Sequence, residues 1–221
     1  MKEQQIIENV ERLLEEIPEG VKVVAAAKQR SAREVAAVVK AGITQVGHNY
    51  VQEAQAMRNF LGNNVRWHMI GHLQRNKVKK AIQLFDVIET LDSRDLGAEI
   101  NKQSERSGIV KPVLVEVNSG QEANKAGVIP GDAVELIEKL SKMKYLKVIG
   151  LMTMGPFLDE PEGLRPYFQI TRRIFEEIAT SNIPGIKMKY LSMGMSDSYQ
   201  IAIDEGANLV RIGTKIFGPR T

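Results

Sequence analysis

Lys28 closes the apolar run Val23-Val24-Ala25-Ala26-Ala27-Lys28, and an amine in that setting can do more than carry charge. Partial burial favours the neutral form of a lysine, and a neutral amine adds to carbonyl carbons to form a Schiff base. A lysine whose stem lies on apolar surface while its head reaches water is the plainer reading of the same position. A second group of chemically useful residues ends the last apolar run, Val210-Arg211-Ile212-Gly213-Thr214. Gly213 allows a ligand to approach the backbone, and its N–H and that of Thr214 can donate to phosphate oxygens, with the Thr214 hydroxyl as a further donor. The run before it is followed by a matching loop, Ser192-Met193-Gly194-Met195-Ser196, with two hydroxyls and a glycine. Side by side, the two loops make a phosphate cup. Arg211 shares a face with Gly213 if the run is extended. A guanidinium there needs an acceptor, which either a structural carboxylate or a ligand ring nitrogen would supply.

Other candidates are weaker. The segment Trp67-His68-Met69-Ile70-Gly71-His72-Leu73-Gln74 holds two histidines, but they straddle a run and a glycine turn rather than one helical face. With no HExxH, acidic cluster or third spaced histidine beside them, no metal is expected. His48, Asn49 and Tyr50 follow the second run, where polar residues commonly satisfy loop backbone. Arg75, Lys77, Lys79 and Lys80 read as a solvated helix face. The P-loop, GxGxxG and GxSxG patterns are absent, which removes the usual signatures of nucleotide hydrolysis, dinucleotide binding and serine hydrolysis. Cysteine is absent too, so disulfides, thiolate metal sites and cysteine nucleophiles are excluded.

The elements that must position these residues follow from periodicity. Ile6, Val10, Leu13, Leu14 and Ile17 recur at helical spacing until Pro18 and Gly20 stop the pattern. Eight β-rich runs come next, at 21–28, 45–47, 66–70, 86–90, 112–117, 146–152, 188–193 and 208–213. Helical patterns separate most of them, among them 31–41, 94–107, 132–142 and 166–180, and Ser31 with Glu34 has capping-box spacing. Eight strands joined by helical crossovers predict an α/β fold, a single (β/α)8 TIM barrel with an extra N-terminal helix, spanning 1–221 as one domain. An open doubly wound sheet is the structural runner-up. Only 214–221 follows the last run, too little for a full helix, so residues 1–17 are expected to cover that gap. In such barrels the chemistry collects at the C-terminal strand ends, where Lys28, Gly213 and Ser192 all fall.

The 221 residues are 43% hydrophobic and 26% charged, values of a folded globular chain. The net charge of +3 gives little support to nucleic-acid binding. The charged N-terminus does not read as a signal peptide, and no apolar run of about 18 residues reaches membrane-spanning length. A soluble, cytoplasmic protein is therefore expected. On physical grounds alone, a barrel with a lysine and a phosphate cup suits a Schiff-base aldolase acting on a sugar phosphate as well as a cofactor binder.

Six ordered segments carry a resemblance. They are the strand-end Lys28, the stretch Gly47-His48-Asn49-Tyr50-Val51-Gln52-Glu53, the stretch from Trp67 to Lys77, Gly150-Leu151-Met152, Leu191-Ser192-Met193-Gly194-Met195-Ser196-Asp197, and Val210 to Thr214. Over about residues 21 to 218 the chain resembles the pyridoxal phosphate homeostasis proteins, single-domain fold-type III binders related to the alanine racemase barrel. It departs from the family pattern at His48, where Glu is usual, at Ala27 and Gln29, where Ser and Thr flank the lysine, and at Arg75, where Ser is common. The resemblance implies that Lys28 carries pyridoxal 5′-phosphate as a covalent aldimine. It further implies that Ser192, Gly194, Gly213 and Thr214 hold the phosphate, that Arg211 faces the pyridine nitrogen, and that Asn49 and His72 lie near the ring. A guanidinium leaves that nitrogen unprotonated and weakens the ring as an electron sink. The function implied is intracellular homeostasis of the cofactor, with effects on vitamin B6 and amino-acid pools, by a monomer that hands it to apo-enzymes and engages neither nucleic acid nor membrane. The alternative is a weak amino-acid racemase. Lys28 would then serve one face of the substrate, with Tyr50 or His72 replacing the tyrosine of a second domain for which 221 residues leave no room.

Overall fold

The computed structural model describes residues 3–219; the ends of the expected 1–17 and 214–221 segments, residues 1, 2, 220 and 221, lie outside the described residues. Eight parallel strands, β1 (Lys22–Ala26), β2 (Gln45–His48), β3 (Arg66–Met69), β4 (Val87–Leu91), β5 (Lys111–Glu116), β6 (Leu146–Met152), β7 (Tyr190–Ser192) and β8 (Leu209–Ile212), form a closed barrel in sequence order. Closure is made by β1 against β8, with Val23 beside Val210 and Ala25 beside Ile212. The predicted TIM barrel is thus the observed architecture, and the open sheet is excluded.

Alternation along each strand sorts the side chains into two layers. Val24, Ile70, Val87, Leu114, Ile149, Tyr190 and Leu209 pack together inside the barrel. Val23, Ala25, Val46, Trp67, Val113 and Val210 belong to the larger cluster under the surrounding helices. Those helices are α1 (Glu3–Glu16), α2 (Ala32–Lys40), α3 (Val51–Leu61), α4 (Val78–Leu84), α5 (Arg94–Arg106), α6 (Ala133–Ser141), α7 (Arg165–Thr180), α8 (Tyr199–Asp204) and α9 (Thr214–Phe217). Helix α2 starts as the spacing predicts: the Ser31 side chain caps the Glu34 N–H while the Glu34 side chain accepts from the Ser31 N–H.

Among the described residues, only the four-residue α9 follows β8, and α1 covers the seam. Ile6, Val10 and Leu13 are fully buried, each stabilising by about 1.5–3 kcal/mol relative to exposure. The Asn9 side chain donates to the Ile216 carbonyl at 3.0 Å. Lys215 Nζ reaches both Glu16 and the Tyr199 hydroxyl at 2.6 Å, so α1, α8 and α9 are tied at one point. Among the described residues, no helix is long and apolar enough to cross a membrane.

Candidate functional site

β1 delivers Lys28 to the C-terminal mouth of the barrel. Ala27 N–H still donates to Gly47 O at 2.9 Å, and a turn then closes with Arg30 N–H on Ala27 O at 3.1 Å. Gln29 takes a left-handed φ of 59° within that turn. Lys28 is half-buried, and its Nζ lies 5.5 Å from the centroid of the Tyr50 ring, a cation–π distance. Arg30 anchors the turn to the end of α9, donating to Gly218 O at 2.6 Å. The inner wall below is apolar, and Gly47 leaves room in it for the branched side chains of Val24 and Ile70. A Cβ on Gly47 would sit 2.7 Å from Ile70 Cδ1 and 2.9 Å from Val24 Cγ1.

The neighbouring strand brings the cup. Gly213 follows β8 alongside Ala26, whose carbonyl oxygen would be 3.5 Å from a Cβ on the glycine. The Gly213 and Lys215 N–H groups converge on the Ser196 hydroxyl oxygen at 3.2 and 3.3 Å. Two amides aimed at one oxygen are the donor set that a phosphate oxygen requires. Thr214 between them is exposed. Gly194 supports this loop by packing: its φ is 89°, and a Cβ there would meet Ala202 Cβ at 2.6 Å and Tyr199 Cα at 2.8 Å. Its carbonyl accepts the Arg211 N–H at 3.1 Å.

Ser192 lies elsewhere. As the last residue of β7 it is fully buried, and its hydroxyl belongs to a polar chain inside the barrel. Ser192 donates to Glu89 Oε2 at 2.6 Å and accepts from Arg211 at 2.7 Å. Glu89 Oε1 meets His68 Nδ1 at 2.6 Å. Arg211 also donates to the Thr153 carbonyl at 2.8 Å. Burial pushes the Glu89 carboxyl up, but the His68 hydrogen bond and charge and the Arg211 charge outweigh it and hold Glu89 below the usual carboxylate range. Burial draws the Arg211 pKa down, opposed by Glu89 and Glu116. The guanidinium thus has a carboxylate partner, reached through Ser192, and the hydroxyl that meets the Gly213 and Lys215 amides is that of Ser196. The sequence offers both loop hydroxyls, Ser192 being the one the resemblance implies, and gives no prominence to Glu89. The usable signal for Glu89 was a lone carboxylate in the apolar run Val87-Ile88-Glu89-Thr90-Leu91.

Across the mouth, a cavity of about 310 Å³ opens among Asn49, Gly71, His72, Thr90, Glu116 and Asn118. Gly71 lets the end of β3 approach Asn49, whose carbonyl oxygen would be 2.5 Å from a Cβ at that position. The His72 side chain is 60% exposed, with Nδ1 3.8 Å from Asp92 Oδ2. His68 is buried on Glu89, so the two histidines occupy different environments. Burial, reinforced by Asp92 and opposed by Arg211, pushes the Glu116 carboxyl up to about 7. His48 points the other way, fully buried behind the barrel wall. Its ring stacks on Trp67 at 5.8 Å, and its Nδ1 lies 3.7 Å from Glu53. Arg75 sits on the surface 3.6 Å from Asp95. Lys28, Gly213 and Thr214 therefore gather over β1 and β8, the Arg211 guanidinium reaches the ends of β6 and β7, and Asn49 and His72 follow β2 and β3 on the other side of Lys28.

Comparison with known proteins places this geometry. The family model for the alanine racemase N-terminal domain matches residues 1–221. A pyridoxal phosphate homeostasis protein of Aquifex aeolicus is 37% identical over 219 residues, 97% of this chain and 95% of that protein. PipY of Synechococcus elongatus superposes with a TM-score of 0.91 at 31% identity in its structure without PLP, covering 96% of this chain and 100% of PipY. Its structure with PLP bound gives 0.88 at 29%. An alanine racemase of Clostridium difficile shares the fold, with a TM-score of 0.80 at 17% identity over 99% of this chain and 59% of the racemase. The chain belongs to the alanine racemase N-terminal domain family and, within it, to the pyridoxal phosphate homeostasis proteins.

Proposed function

We propose that this chain holds pyridoxal 5′-phosphate reversibly at the barrel mouth and thereby buffers the free cofactor, as a cytoplasmic monomer that passes it to apo-enzymes. The observation that carries the reading is one juxtaposition. The Lys28 turn borders the strand end at Gly213, where two N–H groups aim at a single oxygen. The relatives named for pyridoxal phosphate homeostasis and the PLP-bound PipY structure support it. When bound, the cofactor supplies an aldehyde that an amine captures reversibly and a phosphate dianion that amide donors retain. Lys28 is the capturing amine, with the Tyr50 ring fixing the position of its head. Gly213, Thr214, Lys215 and Ser196 hold the phosphate, and Gly194 keeps their loop pressed on α8. Arg211 is the residue for the pyridine nitrogen. Facing that nitrogen, its charge would keep a proton off it, which would favour retention over carbanion chemistry. Ser192 serves by fixing Arg211 to Glu89, while Asn49 and His72 border the ring's side of the mouth.

Borohydride reduction after incubation with pyridoxal 5′-phosphate tests this reading. A yellow protein and one pyridoxyl phosphate mass on the Lys28 peptide are expected, both lost in Lys28→Ala. A colourless native protein with no adduct at Lys28 would overturn it.

A further inference from the structure

The barrel end opposite the mouth carries charged groups for which cofactor holding has no use. Lys22 begins β1, Arg66 begins β3 and Tyr190 begins β7, with Lys189 immediately before it. Three cations from three segments gather on one phenol ring. Lys22 Nζ is 5.6 Å, Arg66 Cζ 6.0 Å and Lys189 Nζ 5.0 Å from the Tyr190 centroid. Tyr190 is 5% exposed, and although the Lys189 ammonium is drawn toward its oxygen, the proton of the buried hydroxyl has no acceptor. Among the described residues, none of the three cations forms an ion pair with a carboxylate within 4.0 Å. Asp86, which shares a surface groove with Arg66, turns its Oδ2 to the Trp67 N–H at 2.7 Å.

Like charges brought together without a counter-charge repel, and the aromatic face offsets this only in part. A buried hydroxyl whose proton has no acceptor is a second unmet demand at the same place. One ligand type meets both. A tetrahedral oxyanion can accept from a guanidinium fork, two ammonium groups and a phenol O–H together. We infer that the barrel floor is a binding site for a phosphate-class oxyanion, held by Lys22, Arg66, Lys189 and the Tyr190 hydroxyl, and separate from the mouth.

The test is an amide NMR titration of the full chain with inorganic phosphate, set against sodium chloride at matched ionic strength. The Lys22, Arg66, Lys189 and Tyr190 amides should shift saturably with phosphate and not with chloride. The amides of Gly213, Thr214 and Lys215 report the mouth separately. Tyr190→Phe keeps the ring and removes only the hydroxyl, and Arg66→Gln removes one charge; each should raise the floor dissociation constant about tenfold or more. Lys189→Gln, at an exposed position, serves the same purpose if Arg66→Gln fails to fold. Methyl phosphate in place of phosphate distinguishes an ester from the free ion as the better ligand, and saturable floor binding of either supports the site. Floor amides that stay still, that respond equally to chloride, or that keep the same constant in the variants would overturn it.

Discussion

Ser192 and Ser196 are four residues apart and do different work, which makes them the sharpest test at the level of single residues. Ser192→Ala strands a buried Glu89 oxygen and a buried Arg211 N–H, so urea unfolding should show a loss of about 1–3 kcal/mol. Ser196→Ala removes the oxygen on which two cup amides converge. It should speed dissociation of pyridoxal 5′-phosphate more than it lowers stability; the reverse ranking would place the cup elsewhere. The placement of Lys28 at the barrel mouth was legible in sequence because it ends an apolar run. The different surroundings of the two serines were not, since they depend on Ser192 completing the inward parity of β7 while Ser196 turns back from a loop. Glu116 adds a pH signature. Its folded pKa of about 7 lies above the usual 4.5, so between those values the folded chain keeps a proton that the unfolded chain has released. Its contribution is present below pH 4.5 and is lost as pH rises toward 7, at no more than about 1.4 kcal/mol per pH unit. Glu116→Gln should flatten stability across that window in urea titrations at stepped pH. Glu89, held low, acts in the opposite sense: its contribution is present above the ordinary carboxylate range and is lost as pH falls below it.

Among the elements, the strands and the strongly amphipathic helices were readable, and the short connecting helices were not. Helix α3 buries only Val51, Ala54 and Met57, a stripe too thin to stand out, while α8 has six residues and α9 four. Their tertiary neighbours, rather than local periodicity, make them helical. The first strand ends at Ala26 and not at Lys28, because the chain must leave the sheet for the lysine head to reach the mouth. Helix α2 then has to begin at once, and its capping box sets where. Ser31→Ala should cost about 1 kcal/mol, measured by urea unfolding. A cost near zero would show that the Lys28 turn, and not the cap, starts the helix. A harsher constraint acts between β6 and β7. A Cβ on Gly150 would lie 1.9 Å from the Tyr190 backbone oxygen, and neither strand of a closed barrel can move aside. Gly150→Ala should therefore cost more than about 3 kcal/mol, at the upper end for single substitutions.

At the scale of the molecule, the barrel joins the two ends of the chain, and that closure is the property most open to test. Strand β1 pairs with β8, but β8 is followed by too short a helix to roof the seam, so α1 completes the outer layer. The sequence indicated this from two facts, an amphipathic helix ahead of the first strand and few residues after the last. It could not supply the ties that enforce it: Asn9 on the Ile216 carbonyl and Lys215 on Glu16. Those ties also put α1 behind the phosphate cup, because the Lys215 N–H is one of its two convergent donors. On the proposed function, stability and ligand retention are therefore coupled through α1. Leu13 is fully buried in that layer, and Leu13→Ala should cost about 2–5 kcal/mol. If α1 is part of one cooperative structure, the loss appears as a single transition with an unchanged denaturant slope. Hydrogen exchange should then quicken together at β1 and β8, and pyridoxal 5′-phosphate should dissociate faster. If α1 were only an appended helix, its own amides would lose protection while β8 and cofactor retention stayed as they were.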